Sequence, residues 1–222
     1  MKKVLVIAFI GLSQFISAQV TKNLGDFTNV KVYDQINLTL VKSTENKIVI
    51  KGSRAEEVEL VTKNNDLKIK MKLTEMLNGD NVEATLYYKD INEVEASEGA
   101  YVGSSDTFKS TAFEVSAKEG AIIKLILDVK KLTSKASSGG TLELSGKAAN
   151  HDATLAAGGI LKSTNLITAQ TDISVNAGGK ADINATDLVE AKTRAGGYIN
   201  IYGKPKQVNK KTVAGGTIDV KE

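Results

Sequence analysis

Three acids, Asp152, Asp172 and Glu190, each stand six residues ahead of a glycine doublet: Gly158-Gly159, Gly178-Gly179 and Gly196-Gly197. If the doublets mark equivalent points of a repeat, the three carboxylates fall on consecutive units, one over another. Stacked like charges oppose assembly, and a cation that neutralises them removes the cost; Ca²⁺ takes clustered carboxylates of this kind. A pair of carboxyl groups flanking a sugar is also the machinery of glycoside cleavage. Against both stands a solvated face tempered by Lys135, Lys192 and Lys211, which lie four residues ahead of their doublets in the neighbouring outward column. We read the column as a solvated face, expect no metal, cofactor or catalytic residue, and keep Asp152, Asp172 and Glu190 as the one candidate cation column.

The other chemistry-bearing residues are sparse. His151 stands alone at the start of a repeat and reads as a solvent-exposed turn residue. Tyr101 and Tyr198 share the position two past the first glycine, and read as part of an outer face packed under connecting segments rather than as a sugar platform. Asn37-Leu38-Thr39 and Asn184-Ala185-Thr186 match the glycosylation pattern, a three-residue match that has little weight by itself.

Composition narrows the classes further. The 222 residues include no Cys, no Trp, one His and one Pro, but 19 Gly. Without Cys there is no disulfide framework, zinc ribbon, thiol nucleophile or iron–sulfur ligand set. Met1 to Ala18 has the form of a secretory signal: Lys2-Lys3, a short apolar run from Val4 to Leu12, and small residues Ser17-Ala18 before Gln19. That run is too short for a bilayer, and no Cys follows it, so neither a transmembrane nor a lipoprotein anchor is expected. Loss of Lys2 and Lys3 would lower the net charge from +3 to about +1. The only guanidinium groups are Arg54 and Arg194, and lysines alternate with acids, a poor footprint for nucleic acid.

The elements that would position these residues come from the doublets. Gly99-Ala100, Gly120-Ala121, Gly139-Gly140, Gly158-Gly159, Gly178-Gly179, Gly196-Gly197 and Gly215-Gly216 recur at steps of 21, 19, 19, 20, 18 and 19 residues. Three residues after each first glycine stand Val102, Ile123, Leu142, Leu161, Ala181, Ile199 and Ile218; three before stand Ala96, Ala117, Ala136, Leu155, Val175, Thr193 and Thr212. Further aliphatics at intervals of two give each flank strand periodicity. Each unit thus reads as strand, glycine turn, strand and a variable connection. Units of about 19 residues cannot bury an apolar side alone, so they must stack at roughly 4.8 Å. The fold expected is all-β, a single parallel β-solenoid of two-strand coils. Residues 1–18 are the signal, and 19–222 one domain. Within it, 27–91 lack the doublet and form an irregular β cap or first coils, and 92–222 carry the regular repeats. Asp219, Lys221 and Glu222 charge the final strand as an edge guard.

Phe27 to Val32, Ile36 to Leu40, the alternating Leu67-Lys68-Ile69-Lys70 strand and the ordered doublets together resemble one bacterial family, the putative auto-transporter adhesin, head GIN domain family, common in Bacteroidetes. The likeness runs from about Phe27 to Val220. It implies an exported all-β solenoid at the cell surface or in the periplasm, and it supplies no catalytic motif. The function expected is a non-enzymatic, adhesin-like binding module whose partner is a cell-surface glycan or an envelope protein, with oligomeric state left open. A polysaccharide-acting β-helix enzyme and a purely structural envelope protein remain as alternatives.

Overall fold

The computed structural model describes residues 19–221; the signal reading of 1–18 lies outside them. From Tyr101 onward the chain is a stack of long strands separated only by tight turns: β9 (Tyr101–Ala117), β10 (Ile122–Ser137), β11 (Thr141–Ala156), β12 (Ile160–Asn176) and β13 (Lys180–Arg194). Each pairs in parallel with the next, so the architecture is the expected parallel β-solenoid. The column three past each glycine is realised residue for residue, from Val102 through Ile123, Leu142, Leu161, Ala181 and Ile199 to Ile218. All but the terminal Ile218 are fully buried. The small-residue column facing them, Ala96 to Thr193, is equally buried, so large side chains fill one wall of the core and mostly smaller ones the other.

The variable connection is not a loop. Within β10 and β11 the chain remains strand throughout, and a corner shows only as two consecutive outward residues, Lys130-Lys131 and Ala149-Asn150. A coil is therefore one bent strand. Differences in coil length are absorbed in the ladder itself. The two consecutive steps of 19 join β10 to β11 with no register shift. Where successive steps differ, bulges intervene: Lys124/Ile126 beside β9, Glu143/Ser145 beside β12, and Lys162/Ile167 with Thr168/Gln170 before β13. A bulge adds a residue to one strand while keeping the flanks in register.

All seven glycine turns share a left-handed pair at their centre, and the last two differ in that Gly197 and Gly216 also take positive φ (112° and 118°). In each, the first glycine and the residue before it both adopt positive φ, as at Ala157 (46°) and Gly158 (75°), and Gly159 N donates to Ala156 O at 3.0 Å. That is a type I′ turn. The corners also bond coil to coil: Gly139 N donates to Ala157 O at 3.2 Å, and Gly158 N to Ala177 O at 3.1 Å. A left-handed L-residue costs roughly 1–2 kcal/mol, a cost the stack repeats at Ser138, Ala157, Ala177 and Ala195.

The N-terminal portion re-enters the stack out of chain order. β2 (Asn29–Val32) and β3 (Asn37–Lys42) form a coil lying on β8 (Glu93–Ala96) and the start of β9. β6 (Asp66–Met71) and β7 (Glu83–Tyr88) then cover its outer side, again in parallel. Its corner, Asp34-Gln35, repeats the left-handed pair without glycine (59° and 64°). The stack ends when antiparallel strands replace parallel ones: β5 (Val58–Lys63) on β6, and β4 (Lys47–Lys51) with β1 (Gln19–Asn23) on β7.

The other end is closed differently. Strands β14 (Tyr198–Tyr202) and β15 (Gln207–Val213) form the last full coil on β13, and β16 (Thr217–Val220) begins one more on β14. Pro205 lies in the break between β14 and β15, as its missing N–H requires. Lys210 pairs with Ala191 and so occupies the inward column otherwise filled by Val115, Ser134, Ala153, Ile173 and Ala191. Its ammonium donates to Ile218 O at 3.0 Å, spanning the mouth of the coil. Asp219 and Lys221 pair at 3.3 Å beside it. An inward charge at a sheet edge opposes continuation by another chain.

Two consequences can be measured. Ala157→Asn places a residue that tolerates the left-handed region at an exposed corner, and should stabilise the fold by about 0.5–1 kcal/mol in urea titrations. Lys210→Val should expose an apolar continuation of the stack and raise the weight-average mass in sedimentation. An unchanged mass would show that the lysine does not guard the edge.

Candidate functional site

Outward side chains on the strands leading into each turn form one flat face of three columns. The first runs Glu93, Glu114, Thr133, Asp152, Asp172, Glu190, Asn209 in continuous register. The second runs Glu95, Ser116, Lys135, Thr154, Ser174, Lys192, Lys211 in the same ladders. A third, one step nearer the turn, ends in Asn176, Arg194 and Val213.

The three candidate acids are thus neighbours, as the repeat implies, and line a shallow groove of about 200 Å³ with Asn150 and Gln170. They do not converge. Asp152 pairs with Lys131 at 3.3 Å, and Glu190 accepts a hydrogen bond from Asn209 Nδ2 at 2.7 Å. Among the described residues no group of three or more His, Cys, Asp or Glu side chains gathers as a metal cage. Of the two β10 lysines that flank its partner Thr133, Asp152 pairs with Lys131 and not with Lys135.

The same face carries acids at the other end. Glu93 and Glu114 stack directly, and burial, then the neighbouring carboxylate of Glu114, raises the Glu93 pKa against the opposing pull of Lys31 at 3.9 Å. Lys118 and Glu95 pair at 3.0 Å. On the opposite flank of the turns, Lys124, Glu143, Lys162, Asp182 and Asn200 stack in one outward column; Lys162 pairs with Glu143 at 2.9 Å, and Asn200 Nδ2 donates to Asp182 at 2.7 Å.

Two expectations need correction. His151 is not a solvent-exposed turn residue; it is 1% exposed and stands in a core column between Leu132 and Thr171. The repeat start lies within a continuous strand, where alternation turns this position inward. The ring is held by Ser134, which is also buried, with Nε2 2.7 Å from Oγ. Burial pushes the imidazole pKa from 6.5 to about 4, against a smaller upward pull from Asp152. The Tyr101–Tyr198 column, in turn, is not packed beneath connecting segments, because those segments are the coil strands themselves. Tyr198 is 58% exposed, and Ile122 is exposed in the same column.

Two features lay outside the sequence reading. Leu73, Met76 and Leu77 are exposed on the segment joining β6 to β7. Buried Asp34 pins this segment, accepting hydrogen bonds from the backbone N–H groups of Met71 and Leu77, both at 2.9 Å. Tyr88, Phe108 and Phe113 form an aromatic cluster, with ring centroids 5.4 and 5.3 Å apart along the series. Phe108 and Phe113 stand in the columns of Leu127 and Leu132, and Tyr88 reaches them from β7.

In-register coils, a ladder of type I′ corners and a flat charged face define a parallel β-solenoid that presents an extended repeat surface. The chain belongs to the family described as putative auto-transporter adhesin, head GIN domain, whose model matches residues 26–205. Among solved structures it is similar to a putative adhesin from Bacteroides fragilis, with TM-score 0.84, 18% identity, and coverage of 94% of this chain and 98% of that one. A putative adhesin from Parabacteroides distasonis gives 0.74 at 17% identity, covering 92% and 96%. A putative lipid binding protein from the same species gives 0.69 at 14% identity, with the same coverage. At these identities the likeness shows the fold. No significant match was found among curated proteins.

The buried histidine makes stability pH-dependent with a definite sign. Its pKa is lower folded than unfolded, so the unfolded chain binds the extra proton between the two values. Stability should therefore be constant above pH 6.5 and fall as pH drops toward 4, by up to roughly 3 kcal/mol from this residue. Urea titrations across that window should lose this part of the slope in a His151→Leu/Ser134→Ala variant. An unchanged slope would place the titration elsewhere.

Proposed function

We propose that the protein is an exported, non-enzymatic adhesin-like module that holds a cell-surface glycan or an envelope protein on the outer face of its coil stack. The observation that carries this reading is the uninterrupted register of the outward columns from β8 to β15. Side chains fixed in columns on paired strands form a wide recognition surface that is ordered before the partner arrives, so association loses little conformational freedom. Membership of a family described as adhesins supports the reading, and the Lys2-Lys3 and Val4–Leu12 pattern supports export. No helix among the described residues is long and apolar enough to cross a membrane.

Fractionation of cells expressing the full chain should place it in the periplasm, at the surface or in the medium. The purified protein should retain envelope material in pull-downs, without releasing reducing ends from a polysaccharide panel. Retention in the cytoplasm overturns export; release of reducing ends overturns the non-enzymatic assignment.

A further inference from the structure

The second and third columns change character at the C-terminal end of the face. Several outward lysines on other coils meet an acid on an adjoining coil, as Lys118 meets Glu95, Lys131 meets Asp152 and Lys162 meets Glu143, while Lys135, between Ser116 and Thr154, faces no charge of either sign in its column. Lys192 has Ser174 on one side and Lys211 on the other. Arg194 lies two residues along the same strand, about 7 Å away on the same face, between Asn176 and Val213. None of these three cations forms an ion pair among the described residues. The other arginine, Arg54, is matched by Glu75 at 3.1 Å.

Directly opposed like charges weaken a strand pair, so Lys192 over Lys211 is a cost with no structural return within the described residues. The side chains enclose a groove of about 230 Å³ lined by Ser174, Asn176, Lys192, Thr193, Arg194, Lys211 and Val213. The backbone beneath is fixed: Ala177 N donates to Arg194 O, and Ala195 N to Val213 O, both at 3.0 Å. A guanidinium with two ammonium groups, next to a hydroxyl and an amide on the neighbouring strand, is a donor set for a carboxylate, sulfate or phosphate oxygen cluster. Two residues back along the same strands stand Asp172 and Glu190, which confine an acidic group to the turn side of the face.

We infer that this groove is a subsite for the acidic groups of a polyanionic glycan. The inference rests on the binding reading above and names its ligand class. Ser174 and Asn176 offer hydrogen bonds to a hydroxyl-rich ligand, whereas an acyl chain would find only the single apolar side chain of Val213. Binding along the strand direction would bring successive acidic groups to Arg194 and to the Lys192–Lys211 pair.

Calorimetric titration of the purified protein with polygalacturonate, dextran sulfate, neutral dextran and inorganic sulfate tests this. Both polyanions should bind, dextran should not, and affinity should fall as salt shortens the screening length. A Lys192→Gln/Arg194→Gln/Lys211→Gln variant should lose affinity about tenfold or more, with its thermal melt unchanged or raised. A Lys124→Gln/Lys180→Gln control, on the opposite flank of the turns, should bind as the parent does. Equal loss in both variants, or none in the triple variant, overturns the subsite. Inorganic sulfate binding as tightly, per sulfate, as dextran sulfate overturns the glycan in favour of a small free anion. Envelope pull-downs with the triple variant separate the two levels: retention there with polyanion binding unaltered sinks the subsite alone, and failure of the parent protein to retain envelope material sinks the broader reading.

Discussion

Every coil has two edges of backbone N–H and C=O groups, and the structure depends on satisfying both with the next coil in register. A one-residue slip would turn each inward aliphatic to solvent, and the ladders from β9 to β13 avoid it by placing length differences in bulges rather than in the flanks. The type I′ corners serve the same constraint, since each must present a donor and an acceptor to the corner above and below it. Left-handed alanines are accepted because the corner bonds and the ladder on either side over-determine the conformation. The ends are where the constraint cannot be met by repetition, and the chain solves it twice by different means: antiparallel strands at one end, and Lys210 with the Asp219–Lys221 pair at the other.

Polar groups inside such a stack must find partners within the stack, on their own coil or on a neighbouring one. His151 and Ser134 show this: each stands in an inward column, and they meet across one coil boundary. Thr168 Oγ1 donates to Asn184 O on the next coil at 2.9 Å and lies 2.8 Å from the Thr171 hydroxyl on its own strand. These pairs keep the core dry and satisfied. They also make it sensitive to protonation, since a buried imidazole can carry charge only at the expense of its surroundings.

The solenoid, its period and the identity of the stacked columns were legible because glycine doublets mark a conformation that the corner demands. Ile123, Leu142 and Leu161 fell into one column by counting alone. Counting from the turn fails where a bulge intervenes, which is why the column five past each glycine is continuous from Leu125 to Leu144 but interrupted before Ser163. Burial of His151 was missed for a related reason. A repeat start assumed to be a loop is a strand, and strand alternation there points inward. The Asp34-Gln35 corner was hidden because it achieves the left-handed pair without glycine. The role of Lys210 needed the three-dimensional end of the stack, for in sequence it is one lysine among many. The acidic column was legible as a neighbour relation but not as a site, since register says which residues are adjacent and not whether they converge.

Energetics explain why the outer columns can vary while the inner ones cannot. Each buried aliphatic contributes roughly 1.5–3 kcal/mol, and a coil such as β10 buries several, among them Ile123, Leu125, Leu127 and Leu132. An unfavourable outward pair costs on the order of 0.2–1 kcal/mol, too little to unseat a coil. Selection for folding therefore acts weakly on the face, leaving its charges free to follow a partner. A solenoid separates the two demands more cleanly than a globular enzyme does, because alternation along one strand assigns adjacent residues to different tasks. In β13, Thr193 belongs to the core while Lys192 and Arg194 on either side of it belong to the surface. The chemistry of the face can thus change from coil to coil without disturbing the ladder that displays it.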